Sequence, residues 1–134
     1  MTPSAEHPNA VLIRKLYDAL AAGDLGAYFN GLADGVVFHI GGDSVVAGEY
    51  GGKDAVANLG MRVFEETAGT YRNDLLSIMA NDSHAVTFHH WTAERRGVSV
   101  QMDNFNVYRF EDGLVVERWE FIEDQARHDA FWAP

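Results

Sequence analysis

Two side chains in this sequence could exchange protons inside an apolar setting. His39 lies in the run VVFHI beside a glycine-rich stretch, and Glu120 lies in ERWEFI. An imidazole titrates near neutrality and can take or give a proton there. A carboxylate enclosed by apolar walls has its pKa raised and gains the same ability. Asn106 offers an amide N–H to a carbonyl or oxyanion. His89 and His90 are neighbours, so on a strand they point to opposite faces and cannot chelate one ion together; one of them should face the site. His39, His89 and Glu120 have the composition of a two-histidine, one-carboxylate centre, but nothing in their spacing demands one and no metal is expected. Plainer roles exist for each: a core histidine on a carbonyl, a Glu120–Arg118 ion pair, an asparagine satisfying a buried loop. No Ser-His-Asp order, phosphate loop or nucleotide fingerprint is present.

The elements that must position these groups change character once, near residue 70. Leu12, Leu16 and Leu20, with Ile13 and Tyr17, make one stripe on a helix over 9–22, stopped by Gly23. Asp24 caps a short second helix carrying Leu25, Phe29 and Leu32, ended by Asp34-Gly35. Residues 36–40 read as a strand, 41–52 as a loop with five glycines, and 53–68 as a third helix bearing Val56, Leu59, Val63 and Phe64. Four strands follow, 71–80, 84–95, 98–110 and 114–122, broken by Asn81-Asp82-Ser83, Arg96-Gly97 and Glu111-Asp112-Gly113. Residues 124–132 form a short closing helix.

Helices first and an antiparallel meander after predict an α+β fold, a cone in which three helices pack on a strongly curved sheet. The cone's open end is a ligand pocket. Strand alternation then sorts the candidates. Asn106 brings Met102, Asn104, Tyr108 and Phe110 to its face, Glu120 brings Arg118 and Ile122, and His89 brings Thr87, Trp91 and Ala93. Asp103 falls on the other face. Tyr17 and Tyr50 could also hydrogen-bond a ligand. The opposite face holds Phe105, Val107, Trp119 and Phe121, which calls for a cover, and a second copy of the chain is the expected one.

Composition narrows the partners. With 134 residues and 47% hydrophobic content, the chain suits one globular domain over 1–134, its core spanning about 9–132. Cysteine is absent, removing disulfides and thiolate chemistry. A net charge of -10 repels nucleic acid and anionic membrane surfaces alike. No run approaches the roughly 20 apolar residues of a membrane span, and MTPSAEHPNA lacks the features of a leader. A cytoplasmic location is the expectation.

LYDALAAGDLGAYFNGLADGVVFHI, ERRG and VYRFEDGLVVERWEF together resemble the nuclear transport factor 2-like superfamily. Within it they are similar to the SnoaL-like branch of polyketide cyclases and ketosteroid isomerase relatives. The likeness covers about residues 9–132 and implies the cone-shaped fold. By that resemblance, the place of the isomerases' carboxylate base falls on His39. The place of their oxyanion-hole tyrosine falls on Leu16, with Tyr17 about 100° further round the helix. The place of their hydrogen-bonding acid falls on Asn106. All three residue types differ, so isomerase chemistry in its usual form is not implied. Of the Asp-Arg-Asp set of the epoxide hydrolases, the last-strand carboxylate would match Glu120, but the Arg-x-Asp pair has no counterpart in QMDNFNVYR. The Trp119-Glu120 pair does resemble the acid that follows the final-strand tryptophan in SnoaL-like cyclases.

The expected function is therefore a cofactor-free isomerase, cyclase or dehydratase moving protons next to a carbonyl in a small, largely apolar substrate such as a polyketide or steroid-like molecule. His39, Glu120 and Asn106 would be catalytic; Tyr17, His89, Trp91, Tyr108 and Arg118 would bind substrate. The alternative is a non-enzymatic binding and dimerisation module of the same fold.

Overall fold

The first helix begins where Pro8 supplies a helical φ and the His7 ring accepts a hydrogen bond from the Asn9 N–H at 3.1 Å. This computed structural model describes residues 6–134, so the opening residues MTPSA, part of the stretch read for a leader, lie outside the described residues. Helix α1 (Pro8–Ala22) buries Ile13 and Leu16 and ends at Gly23, whose φ of +72° suits glycine. In α2 (Leu25–Asn30) the Asp24 carboxylate accepts from the Ala27 N–H at 3.1 Å. The sequence pattern carries this helix on through Leu32, but the chain leaves it at Gly31. A Cβ there would sit 2.4 Å from Leu16 Cδ2, so the missing side chain lets the backbone turn tightly against α1. Strand β1 (Leu32–Ile40) starts at once.

A short strand, β2 (Gly48–Gly51), emerges from the glycine-rich stretch expected to be loop, and pairs antiparallel with β1. It is followed by α3 (Lys53–Glu66). The meander matches the sequence pattern to within a residue or two: β3 (Arg72–Ala80), β4 (His84–Arg95), β5 (Val98–Glu111) and β6 (Leu114–Ile122), then α4 (Gln125–Phe131). Two of its turns put consecutive residues at positive φ, Arg96-Gly97 and Asp112-Gly113, matching the twist of the strands they join.

The six strands form one curved, unclosed sheet in the order β2-β1-β6-β5-β4-β3. It holds a single parallel pair, β1 on β6, one strand in from the β2 edge; every other pairing is antiparallel. Ile13, Leu16, Val56 and Leu59 from the helices meet Val36, Phe38, Met102, Tyr108 and Phe110 on the concave side, and Trp91, Phe131 and Trp132 close one end. Arg95 is buried behind that end. Its Nε donates to Glu66 at 2.7 Å and its Nη1 to the Phe131 carbonyl at 2.9 Å, joining α3, β4 and α4. Among the described residues, no helix is long and apolar enough to cross a membrane.

Candidate functional site

The parallel β1–β6 register decides which side chains share the concave face. Phe38 stands beside Arg118 and Ile40 beside Glu120, while across β6 the neighbours on β5 are Tyr108 and Asn106. One strand further, Thr87 lies beside Asn106 and His89 beside Asn104. Alternation thus brings Asn106, Tyr108, Arg118, Glu120 and His89 to one side of the sheet, and α1 lays Tyr17 over them.

These groups form a connected polar cluster. The Tyr17 and Tyr108 hydroxyls are 2.6 Å apart. His89 is fully buried, with Nδ1 2.9 Å from Asn73 Oδ1 and Nε2 2.6 Å from the Thr87 hydroxyl. Since Asn73 Oδ1 only accepts, the ring proton sits on Nδ1 and Nε2 accepts from Thr87. Burial, aided by the charge of Arg118, lowers the His89 pKa to about 4, so the ring is neutral at pH 7. Burial, together with Tyr108, likewise holds the Tyr17 phenol protonated well beyond its usual range. Asn104 Nδ2 donates to Asn106 Oδ1 at 3.1 Å and to Glu120 at 3.3 Å. The Asn106 amide nitrogen has only long contacts, 3.5 Å to both Tyr17 and His89, so its N–H groups are weakly engaged.

Around this cluster lie groups that are packed among neighbours yet keep surface in contact with solvent. They are Tyr17, Tyr28, Tyr71, Arg118 and Glu120. The Tyr71 pKa is pushed up to about 12 by burial first and then by Glu120. Arg118 rests its guanidinium carbon 4.1 Å from the Phe38 ring centroid. Trp91 is 2% exposed and sits deeper, in an aromatic cluster with Tyr71, His128, Phe131 and Trp132, where it serves as wall rather than as a contact surface. Tyr50 spends its hydroxyl on the Val46 carbonyl at 2.8 Å.

His39 does not join them. In β1 it pairs with Trp119, on the convex side, where it stacks on the indole at 5.6 Å and bonds Glu117 at 2.6 Å. The strand runs Phe38 inward and His39 outward, so an expected pocket histidine becomes a surface one. The same geometry separates it from His89 and Glu120, and the three cannot share a metal ion. Among the described residues no group of His, Cys, Asp or Glu is arranged to hold one. His90 is also convex, 2.7 Å from Asp103.

Several concave residues are not singled out by the sequence pattern. Asn104 is legible only as a same-face neighbour of Asn106. Tyr28 comes from a helix too short to show its inner side. Asn73 precedes a register shift between Leu75 and Ser77, which breaks the alternation that would place it. His128 is signalled only by its spacing from Phe131 and Trp132 on α4. A hollow of about 450 Å³ also opens among Thr70, Thr92, Glu94, Ser99 and Gln101, but it is open to water and holds no shielded titrating group.

Comparison with known proteins agrees with this architecture. Bal32a, from a soil-derived mobile gene cassette, superposes with a TM-score of 0.88 at 29% identity, covering 93% of this chain and 96% of its own. An NTF2-like protein of unknown function from Burkholderia pseudomallei gives 0.84 at 20% identity, covering 96% and 100%. A candidate SnoaL-like polyketide cyclase from Jannaschia sp. CCS1 gives 0.76 at 17%, covering 100% and 99%. No curated protein matches the chain. The family model for the SnoaL-like domain matches residues 13–118, most of the chain, and the protein belongs to that family.

Proposed function

We propose that the protein is a cofactor-free enzyme that moves a proton next to a carbonyl in a small, largely apolar ligand held in the cone. The observation that carries this reading is the placement of Glu120 beside Asn106 on the concave face, with the asparagine's N–H groups only weakly engaged. The Glu120 carboxylate takes a proton from the carbon next to the carbonyl. The electron pair left behind delocalises onto the carbonyl oxygen as an enolate, and the protonated Glu120 returns its proton to carbon. Isomerisation, cyclisation and dehydration can all begin this way.

The enolate oxygen needs donors, and proton counting supplies them. In the Tyr17–Tyr108 pair one hydroxyl donates to the other. His89 Nε2 already accepts from Thr87, so the second phenolic proton has no strong acceptor inside the cluster. That proton and the Asn106 amide are two donors that can meet the enolate oxygen beside Glu120.

Proton exchange in heavy water tests this. With 2-tetralone as probe, the protein should speed exchange of the hydrogens beside the carbonyl, and Glu120→Gln should lower that rate by about 10²-fold or more. A Glu120→Gln protein that exchanges as fast as the parent would remove the proton-transfer role. Binding of 2-tetralone with no exchange at all would favour the non-enzymatic module, a reading supported by the closed hydrogen bonding of His89.

The same reading includes a homodimer built on the convex face. Phe88, Phe105 and Phe121 lie in register across β4, β5 and β6, the last two rings stacked at 4.8 Å, and each is about two-fifths exposed. A second copy is the cover such a row calls for.

A further inference from the structure

Arg118 carries a permanent charge into the cone without a counter-charge in contact with it. Among the described residues no carboxylate comes within ion-pair distance of its guanidinium. Its Nε is buried without a hydrogen-bond partner among the described residues. The nearby acid, Glu120, is turned to Asn104 instead. The face of Phe38 lies against the guanidinium, its ring centroid 4.1 Å from the guanidinium carbon. Arg118 is half-buried, and its Nε is shut away from water without a partner, a condition that an anionic ligand would relieve.

Resting on the reading of the concave cluster as the ligand site, we infer that the natural ligand carries a planar, delocalised oxyanion that docks on the Arg118 guanidinium. A carboxylate and the ionised enol of a dicarbonyl share this chemistry: two coplanar oxygens matched to two parallel N–H donors. The face of Phe38 under the guanidinium holds the fork in one plane. Tyr17 and Tyr28 stand close enough to Arg118 to feel its charge, and their aromatic edges suit the flat apolar body attached to the anion. Arg118 is thus a specificity-determining residue, separate from the proton carrier two positions along the strand.

The test uses 2-naphthoate and 2-hydroxy-1,4-naphthoquinone, both anionic at pH 7, against neutral methyl 2-naphthoate, with binding measured by calorimetry. The parent protein should prefer an anion over the ester by about tenfold to a hundredfold, the range expected for hydrogen bonds to a charged group. Binding should also shift the Nε–H resonance of Arg118. Arg118→Met, which keeps the packing on Phe38, should abolish the preference while leaving ester binding within a few-fold. Arg118→Lys keeps the charge and loses the fork, so it should retain only part of the preference, and it guards against a folding defect in the methionine variant. Tight binding of the naphthoate alone would narrow the group to a carboxylate, and of the quinone alone to an enol; both sustain the inference.

Equal affinity for anions and ester in the parent, or a preference that survives Arg118→Met, would overturn it. Neither result bears on Glu120, whose role stands or falls with exchange in 2-tetralone. Failure of all three probes to bind would overturn the inference together with the ligand site itself.

Discussion

The Tyr17 hydroxyl on α1 lies 2.6 Å from the Tyr108 hydroxyl on β5, so one short contact ties the first helix to the middle of the sheet. Tyr108 is 3% exposed, and its hydroxyl has no other close partner among the described residues. Tyr108→Phe should lower the free energy of unfolding by about 1 kcal/mol, as should Tyr17→Phe. The double variant should cost clearly less than the sum, because both changes delete the same bond. Urea unfolding of the three variants measures this; strict additivity would show that the hydroxyls do not depend on each other.

His89 gives stability a defined pH dependence. The unfolded chain protonates this ring near its ordinary 6.5, the folded chain only near 4. Between those values the unfolded state holds more protons, so stability is complete above about pH 6.5 and is lost as pH falls, by about 3 kcal/mol at most. His128, lowered by its own burial, adds in the same direction. Urea midpoints at pH 7, 5.5 and 4.5 should fall in step, and His89→Gln should flatten the slope. An unchanged slope would assign the effect elsewhere.

His39→Ala should leave exchange in 2-tetralone within about twofold of the parent, since the ring is on the face away from Glu120. Its hydrogen bond to Glu117 is part-exposed and should contribute less than about 1 kcal/mol. A large loss of exchange activity would mean that the convex face takes part in the chemistry.

Phe105→Asp at the middle of the aromatic row, or Phe121→Asp at its end, places a charge on that face. Sedimentation at micromolar concentration should find the parent dimeric and either variant monomeric, with the monomer still folded by circular dichroism. A monomeric parent would leave the row without the proposed cover.

Period-two alternation makes most of the site legible in the sequence. Asn106, Tyr108, Arg118, Glu120 and His89 share a face because β4, β5 and β6 pair residue against residue over the stretch that holds them. What alternation cannot supply is the phase of a strand whose partner is unknown. β1 lies parallel to β6, far away in sequence, so its phase has to be taken from its own apolar set rather than from a hairpin partner. Hydrophobicity accounts for the outcome: Val36, Phe38 and Ile40 form the apolar set, and His39 falls between them. The end of α2 is hidden for a related reason. Leu32 fits the helical stripe, but the close approach of Gly31 to Leu16 is a tertiary fact.

That parallel pair also dictates when the site can exist during folding. The meander β3–β6 joins neighbours through short turns and can assemble early, whereas β1 must cross a long stretch of chain to reach β6. Such non-local closure carries a large loop entropy and slows folding, to milliseconds or longer in domains dominated by distant contacts. Until it happens, Arg118 lacks Phe38 beneath it and Glu120 lacks the strand that walls it from water. On a ribosome, β6 emerges after every other strand of the sheet, so the cone stays unroofed until then. The concave face that carries Arg118 and Glu120 is the last part of the sheet to be completed.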